Sequence, residues 1–277
     1  MPRLAEPPRG SVARDATLNG CFETMRAYQG RIFRLAPHMD RLYASAKYLG
    51  LVPPKDRRVL ARQLTQALAS SRLKEAVVRV ALMPRGPQPA SPHIVVWPAH
   101  VLPSAMYRRG IRVAVVPARK SSVGAIDPQS KYSARLGSVM AVMDAQLRGV
   151  DEALFMDAID GVTESTASNF GIVRDSAIVT PPCYLGLLAG ITRDVLFELA
   201  EALRVPIQET RLTRHEIYNA DEAFLSSTLK EYLPVTMVDG RRIGTGRGGP
   251  ITGRLNRAFR QLVRKECHGP TTRRSRR

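Results

Sequence analysis

The sequence predicts an α+β chain of two domains, and three observations lead there. Strand-like stretches come in neighbouring pairs, as in CFETMRAYQGRIFRL. Amphipathic helical stretches stand among them without regular strand–helix–strand alternation. The length of 277 residues exceeds the usual single domain and suits two modest ones.

The elements follow in order. CFETMRAYQGRIFRL reads as a hairpin turning at Gln29-Gly30. Pro37 sits near a helix start; Met39, Leu42, Tyr43, Ala46 and Leu49 follow at helical spacing, and Gly50 ends the run. Asp56 to Ala69 is a second amphipathic helix, and EAVVRVALM and HIVVW are strands. WPAHVLPSAMYRRG is Pro-rich and aperiodic, which marks a linker. The strand IRVAVV opens the second half, followed by a helix from about Ser133 to Arg148 and the strand EALFMDA. After an Asp160-Gly161 turn come GVTESTASNFGIV and the short strand AIVTP. GITRDVLFELAEAL is a one-faced helix, EAFLSST and LPVTMV are strands, and GPITGRLNRAFRQLV is the last helix. The expected domains are 1–97 (small, N-terminal), a linker over 98–109, 110–263 (larger), and a basic disordered tail over 264–277.

Apolar content of 44% is that of a chain with a real core. No run of about 18 apolar residues is present, so no transmembrane helix is expected. The N-terminus lacks the apolar stretch of a secretory signal. Cys21, Cys183 and Cys267 are odd in number and far apart, which points to a reducing, cytoplasmic setting and no metal site. The formal charge of +18 raises a nucleic-acid or polyanion reading. The excess is scattered arginine plus the tail RKECHGPTTRRSRR, which carries no aromatics for base stacking. Attraction to anionic metabolites is the preferred reading. RIGTGRGGP has a GxG spacing but no buried strand before it, so it reads as a flexible loop and not a dinucleotide site.

Four features suit a phosphorylated, electron-withdrawing cofactor such as pyridoxal phosphate, which needs a lysine, an acidic partner for its ring nitrogen and an anion site. Lys131 precedes a helix and follows a Pro-containing loop. Glu164, in GVTESTASN, is the candidate acidic partner. AGITRD places Ile191 and Thr192 at a helix start, where backbone N–H groups attract phosphate. FLSSTLKEY ends a strand with Ser226, Ser227 and Thr228. Each feature alone has a plain structural explanation: a solvated charge, a turn glutamate, a helix cap and a polar strand exit.

In this order, GCFETMRAYQGRIFRLAPHMDRLYASA, EALFMDAIDGVTESTASNFGIV, LLAGITRDVLFELA and DEAFLSSTLKEYLPVTMVDGRRIGTGRGGPIT resemble the class IV (fold type IV) pyridoxal-phosphate aminotransferases. That family includes branched-chain and D-amino-acid aminotransferases and 4-amino-4-deoxychorismate lyases. The resemblance runs from about Gly20 to Val263. It implies a small α+β domain, a larger domain with a barrel-like sheet, the cofactor between them, and a homodimer. It also implies that Lys131 is the Schiff-base lysine, that Glu164 meets the pyridine nitrogen with Asn169 nearby, and that Arg41, Ile191, Thr192 and Thr228 hold the phosphate.

Three departures bear on the family pattern. RDATLNGCFE replaces the usual N-terminal strand pair. Leu136 stands where branched-chain enzymes carry tyrosine, as in D-amino-acid enzymes. Ala134 stands where lyases carry asparagine. Arg79, in VVRV, matches a branched-chain carboxylate-binding arginine, and Ala81 lacks the histidine of the D-specific trap. Arg26 is a second candidate for a substrate carboxylate, and Phe22 for an apolar wall. The expected reaction is amino transfer between an aliphatic L-amino acid and a 2-oxo acid. A D-amino-acid aminotransferase, a lyase and a polyanion-binding protein are the alternatives.

Overall fold

The computed structural model describes residues 20–119, 126–134 and 136–267. The first sheet contains strands β1 (Cys21–Tyr28), β2 (Arg31–Ile32), β3 (Ala76–Arg85) and β4 (Gln88–Pro98) in the order β2-β1-β3-β4, all antiparallel. Gln29 and Gly30 both have positive φ, 50° and 76°. That backbone matches the twist of a two-residue hairpin and suits glycine. On β1, Cys21, Met25 and Ala27 face helices α1 (Leu35–Tyr48) and α2 (Arg57–Ser71), where Met39, Leu42, Leu60 and Leu64 are buried. Burying one such leucine contributes about 1.5–3 kcal/mol. The Asp56 carboxylate accepts the amides of Arg58 and Val59 and so starts α2.

The second sheet closes on itself. Strands β5 (Ile111–Arg119), β6 (Glu152–Met156), β7 (Val162–Ser165), β8 (Asn169–Arg174), β11 (Glu222–Ser227) and β12 (Glu231–Val238) run in the order β8-β11-β12-β5-β6-β7, and β7 pairs back to β8. Strands β9 (Ala177–Thr180) and β10 (Ile207–Glu209) extend it beyond β8, and β13 (Arg241–Arg242) pairs with β12. Residues alternate across the barrel wall. Leu154 and Met156 face the inner core, whereas Ala153 and Phe155 pack outward with Ala141 and Ala145 of helix α4 (Leu136–Leu147). Helices α5 (Ile191–Ala202) and α7 (Pro250–Cys267) cover another face, placing Val195, Leu199, Leu255 and Phe259 against Phe224 and Tyr232. Glu222 accepts the amides of Ile251 and Thr252 at the start of α7, so RIGTGRGGP serves as the lead into a capped helix.

Several expectations change. The stretch 98–109 contains helix α3 (Ser104–Arg109), and its Leu102 and Met106 enter the barrel core. The last helix runs through Cys267 instead of ending at Val263, because Val263 and Cys267 continue its buried stripe. The helix expected from Ser133 starts at Leu136. The preceding residues are tied to β1: Tyr132 bridges to Cys21, and the Ser133 amide donates to Gly20 O. A one-turn helix α6 (Arg214–Tyr218) was not foreseen, although the Thr213…Glu216 capping box is its sequence signature. Residues 14–19 of RDATLNGCFE and residues 268–277 of the tail lie outside the described residues.

Candidate active site

A cleft opens at one end of the barrel, where the first sheet meets it. About 220 Å³ of space lies within, which suits a small metabolite and not a polymer. Phe22, Arg41, Lys131, Glu164, Asn169, Ile191, Thr192 and Thr228 all line it. These residues span more than two hundred positions of chain and arrive on several different elements.

Lys131 is held by its backbone. Its amide donates to Ser45 Oγ (3.0 Å), and its carbonyl accepts the Phe22 amide (3.0 Å). The lysine is therefore anchored between α1 and β1, with its side chain half-buried. Its Nζ lies 4.9 Å from the Phe22 ring centroid, and Arg79 Cζ lies 4.1 Å from the same centroid. Two cations over one ring is a cation–π arrangement. Arg79 packs against this ring but is not among the residues that line the cleft. Arg26 lies elsewhere: it pairs with Glu75 (2.9 Å) and stacks over Tyr28.

Glu164 and Asn169 face each other across β7 and β8. Ser165 N donates to Ser168 O (2.8 Å) and closes the turn between them. Buried Glu164 accepts from Asn169 Nδ2 (3.0 Å) and the Leu188 amide (3.2 Å) at Oε2. Asn169 also donates to Leu188 O (2.8 Å). These bonds aim the carboxylate and join the strand pair to the segment before α5.

That segment ends in Gly190, the N-cap of α5, which offers no side chain to cap the helix. A Cβ on Gly190 would come within 2.0 Å of Asn169 Oδ1, so only glycine lets the amide of Asn169 approach. Ile191 and Thr192 follow with their N–H groups at a positive helix end. The Thr192 carbonyl accepts from buried Tyr232 OH (3.0 Å), which fixes this first turn. Thr228 lies in the turn after β11, beside Ser226 and Ser227.

Arg41 spans the two sheets. Its Nε and Nη2 donate to the two oxygens of Glu23 (2.6 and 2.8 Å), and its Nη1 donates to Ala189 O (2.6 Å). Glu23 is fully buried. Burial alone would raise its pKa, but the Arg41 guanidinium and the His38 hydrogen bond outweigh that and hold it at about 2. Burial depresses His38, so it is a neutral donor to Glu23 (2.8 Å) and not a second cation. Sequence reading did not assign Glu23 a role. The signal was present: Glu23 falls on the same strand face as Cys21, Met25 and Ala27, a charge in an apolar stripe.

Comparisons with known proteins identify the family. Residues 20–238 match the family model for amino-transferase class IV. The chain is 34% identical over 266 residues to a branched-chain-amino-acid aminotransferase of Pseudomonas aeruginosa, covering 90% of this chain and 86% of that protein. It is 30% identical over 257 residues to a D-alanine aminotransferase of Listeria monocytogenes, covering 90% and 88%. The crystal structure of a T.th. branched-chain amino acid aminotransferase with pyridoxamine 5′-phosphate superposes with a TM-score of 0.85 at 30% identity, covering 88% of this chain and 85% of that one.

Proposed function

The chain belongs to the class IV aminotransferases, and on that premise we propose that it moves an amino group from an aliphatic or branched-chain L-amino acid to a 2-oxo acid. The observation that carries this reading is the cleft itself. It joins an amine, a buried carboxylate and an anion-binding helix end in about 220 Å³.

The family works with pyridoxal phosphate, and the donor set here fits that group. An uncapped helix start with Ile191 and Thr192, the Arg41 guanidinium and the Thr228 hydroxyl are suited to a phosphate. Glu164, oriented by Asn169, is suited to a protonated ring nitrogen. When bound, the cofactor supplies an electron-accepting ring that stabilises negative charge at a substrate α-carbon. Lys131 Nζ acts as the general acid–base that takes and returns the α-proton. Ser45 and Phe22 fix the backbone of Lys131, so the amine swings on a rigid base. Phe22 offers its ring as an apolar wall, and Arg79 packed against it adds positive charge toward a substrate carboxylate. Arg26 is engaged by Glu75, so Arg79 is the better candidate for that role.

The aliphatic L-donor is supported by the branched-chain relatives and by Arg79. The D-alanine relative at 30% identity, together with Leu136, supports the D-reading. The proposed assembly is a homodimer acting in the cytoplasm. In its support, α4 exposes Leu136, Val139, Met140, Met143 and Leu147 on one face. Light scattering reads the mass directly.

The test is a panel of L- and D-amino acids with 2-oxoglutarate or pyruvate, and aminodeoxychorismate in parallel. L-leucine, L-isoleucine or L-valine should be the best donors, and Lys131→Ala should abolish transfer. D-alanine or D-glutamate about tenfold faster than L-leucine (about 1.4 kcal/mol in transition-state binding) would overturn the chirality. Pyruvate release from aminodeoxychorismate without an amino acceptor would overturn the reaction type.

A further inference from the structure

Three buried polar side chains at or next to the cleft wall have no part in the chemistry above. Glu152 opens β6, Lys230 lies in the turn between β11 and β12, and Thr166 lies in the turn between β7 and β8; all are buried. Lys230 Nζ donates to Glu152 Oε2 (2.7 Å), and Thr166 Oγ1 donates to Glu152 Oε1 (2.6 Å). Thr166 lines the cleft, whereas Glu152 and Lys230 do not. The turn that holds Lys230 also holds Thr228, and the Lys230 amide closes it on Ser227 O (3.2 Å). Tyr107 OH donates to Lys230 O (3.2 Å).

We propose that Glu152 and Lys230 are positioning residues: they clasp the Thr166 turn to the Thr228 turn and set the spacing of one wall of the cleft. β8 and β11 pair as far as Asn169 and Ser226, and beyond that ladder no backbone bond among the described residues joins the Thr166 turn to the Thr228 turn. Among the described residues, Glu152 is the carboxylate that both turns reach. A buried ion pair is a poor source of stability, because desolvation offsets most of its attraction. Apolar side chains would fill the same space at less cost, so the pair is explained by what it aligns. The carboxylate can only accept, so it also fixes the Thr166 hydroxyl as donor to it. Burial alone would raise the Glu152 pKa, but Lys230 and Thr166 hold it below the usual range, so the clasp is charged and closed at neutral pH.

The inference rests on the aminotransferase reading for its meaning, yet one test is independent of activity. Hydrogen exchange of the full chain, without added cofactor, is compared for wild type, Thr166→Val, Thr166→Ser and Lys230→Met. Thr166→Val removes the bond at nearly constant volume. Exchange at the distant Lys230 amide should then rise roughly threefold or more, and Thr166→Ser should restore it. Exchange that changes only within the Thr166 turn, or that is equally fast in the Ser variant, would overturn the clasp. If Lys230→Met does not fold, the Thr166 pair still decides. For turnover, Thr166→Val should raise the KM for the amino donor about fivefold with kcat within about twofold. A wild type without amino transfer would refute the proposed function and leave the exchange result standing.

Discussion

Replacing Glu23 by glutamine should produce a pH-dependent loss of stability. In the folded chain Glu23 is fully buried, receives two bonds from Arg41 and one from His38, and titrates at about 2. An unfolded glutamate titrates near 4.5. A depressed folded pKa means stability that is complete above the unfolded value and lost as pH falls through the folded one. The gap corresponds to about 3 kcal/mol at pH 7, falling to roughly 1.5 kcal/mol at pH 3. Glutamine keeps the shape but leaves the Arg41 guanidinium, 12% exposed, without its counter-charge; breaking such a pair costs about 3–5 kcal/mol. Urea unfolding of wild type and Glu23→Gln at several pH values between 3 and 7 reads both terms. The wild-type advantage should be largest near pH 7 and shrink by about 2 kcal/mol toward pH 3. A difference under about 1 kcal/mol at pH 7, or one that does not change with pH, would refute the reading of Glu23 as an ionised anchor for Arg41.

Glu164→Gln should lower turnover about a hundredfold (near 3 kcal/mol) with little change in melting temperature, measured by steady-state kinetics and calorimetry. Gly190→Ala must move Asn169 Oδ1, which a Cβ would approach to 2.0 Å; pyridoxal phosphate titration should show affinity at least about tenfold weaker. A Gly253→Ala control on α7, where a Cβ would meet only Arg257 Nη1 at 3.5 Å, should leave that affinity unchanged. Truncation after Cys267 should leave the melting temperature unchanged. Truncation after Val263 should lower it, because buried Cys267 and the last turn of α7 are lost.

Lys131, Glu164 and Ile191-Thr192 stood out locally, before a helix, in a turn and after a glycine, but each alone had a plain structural explanation. The family resemblance gave them roles and added Arg41 and Asn169, and the fold gathers all of them in one cleft. The helices α1, α2, α5 and α7 were legible because apolar spacing and caps are local. The error at the end of α7 came from weighing basic charge over the apolar stripe that Val263 and Cys267 continue. Over 98–109 proline and weak periodicity gave no sign of helix α3 or of the burial of Leu102 and Met106.

Chain order alone does not reveal which distant groups meet. Arg41 was expected at a phosphate and Arg26 at a substrate carboxylate, yet one is anchored by Glu23 and the other is taken by Glu75. Glu152 and Lys230 lie 78 positions apart and have no shared motif; the pairing of β6 with β7, β7 with β8 and β8 with β11 brings them together. Local propensity reports what a residue can do within a turn or two of chain. Pairing of buried charges depends on which strands become neighbours, and hydrophobic burial of the whole barrel decides that.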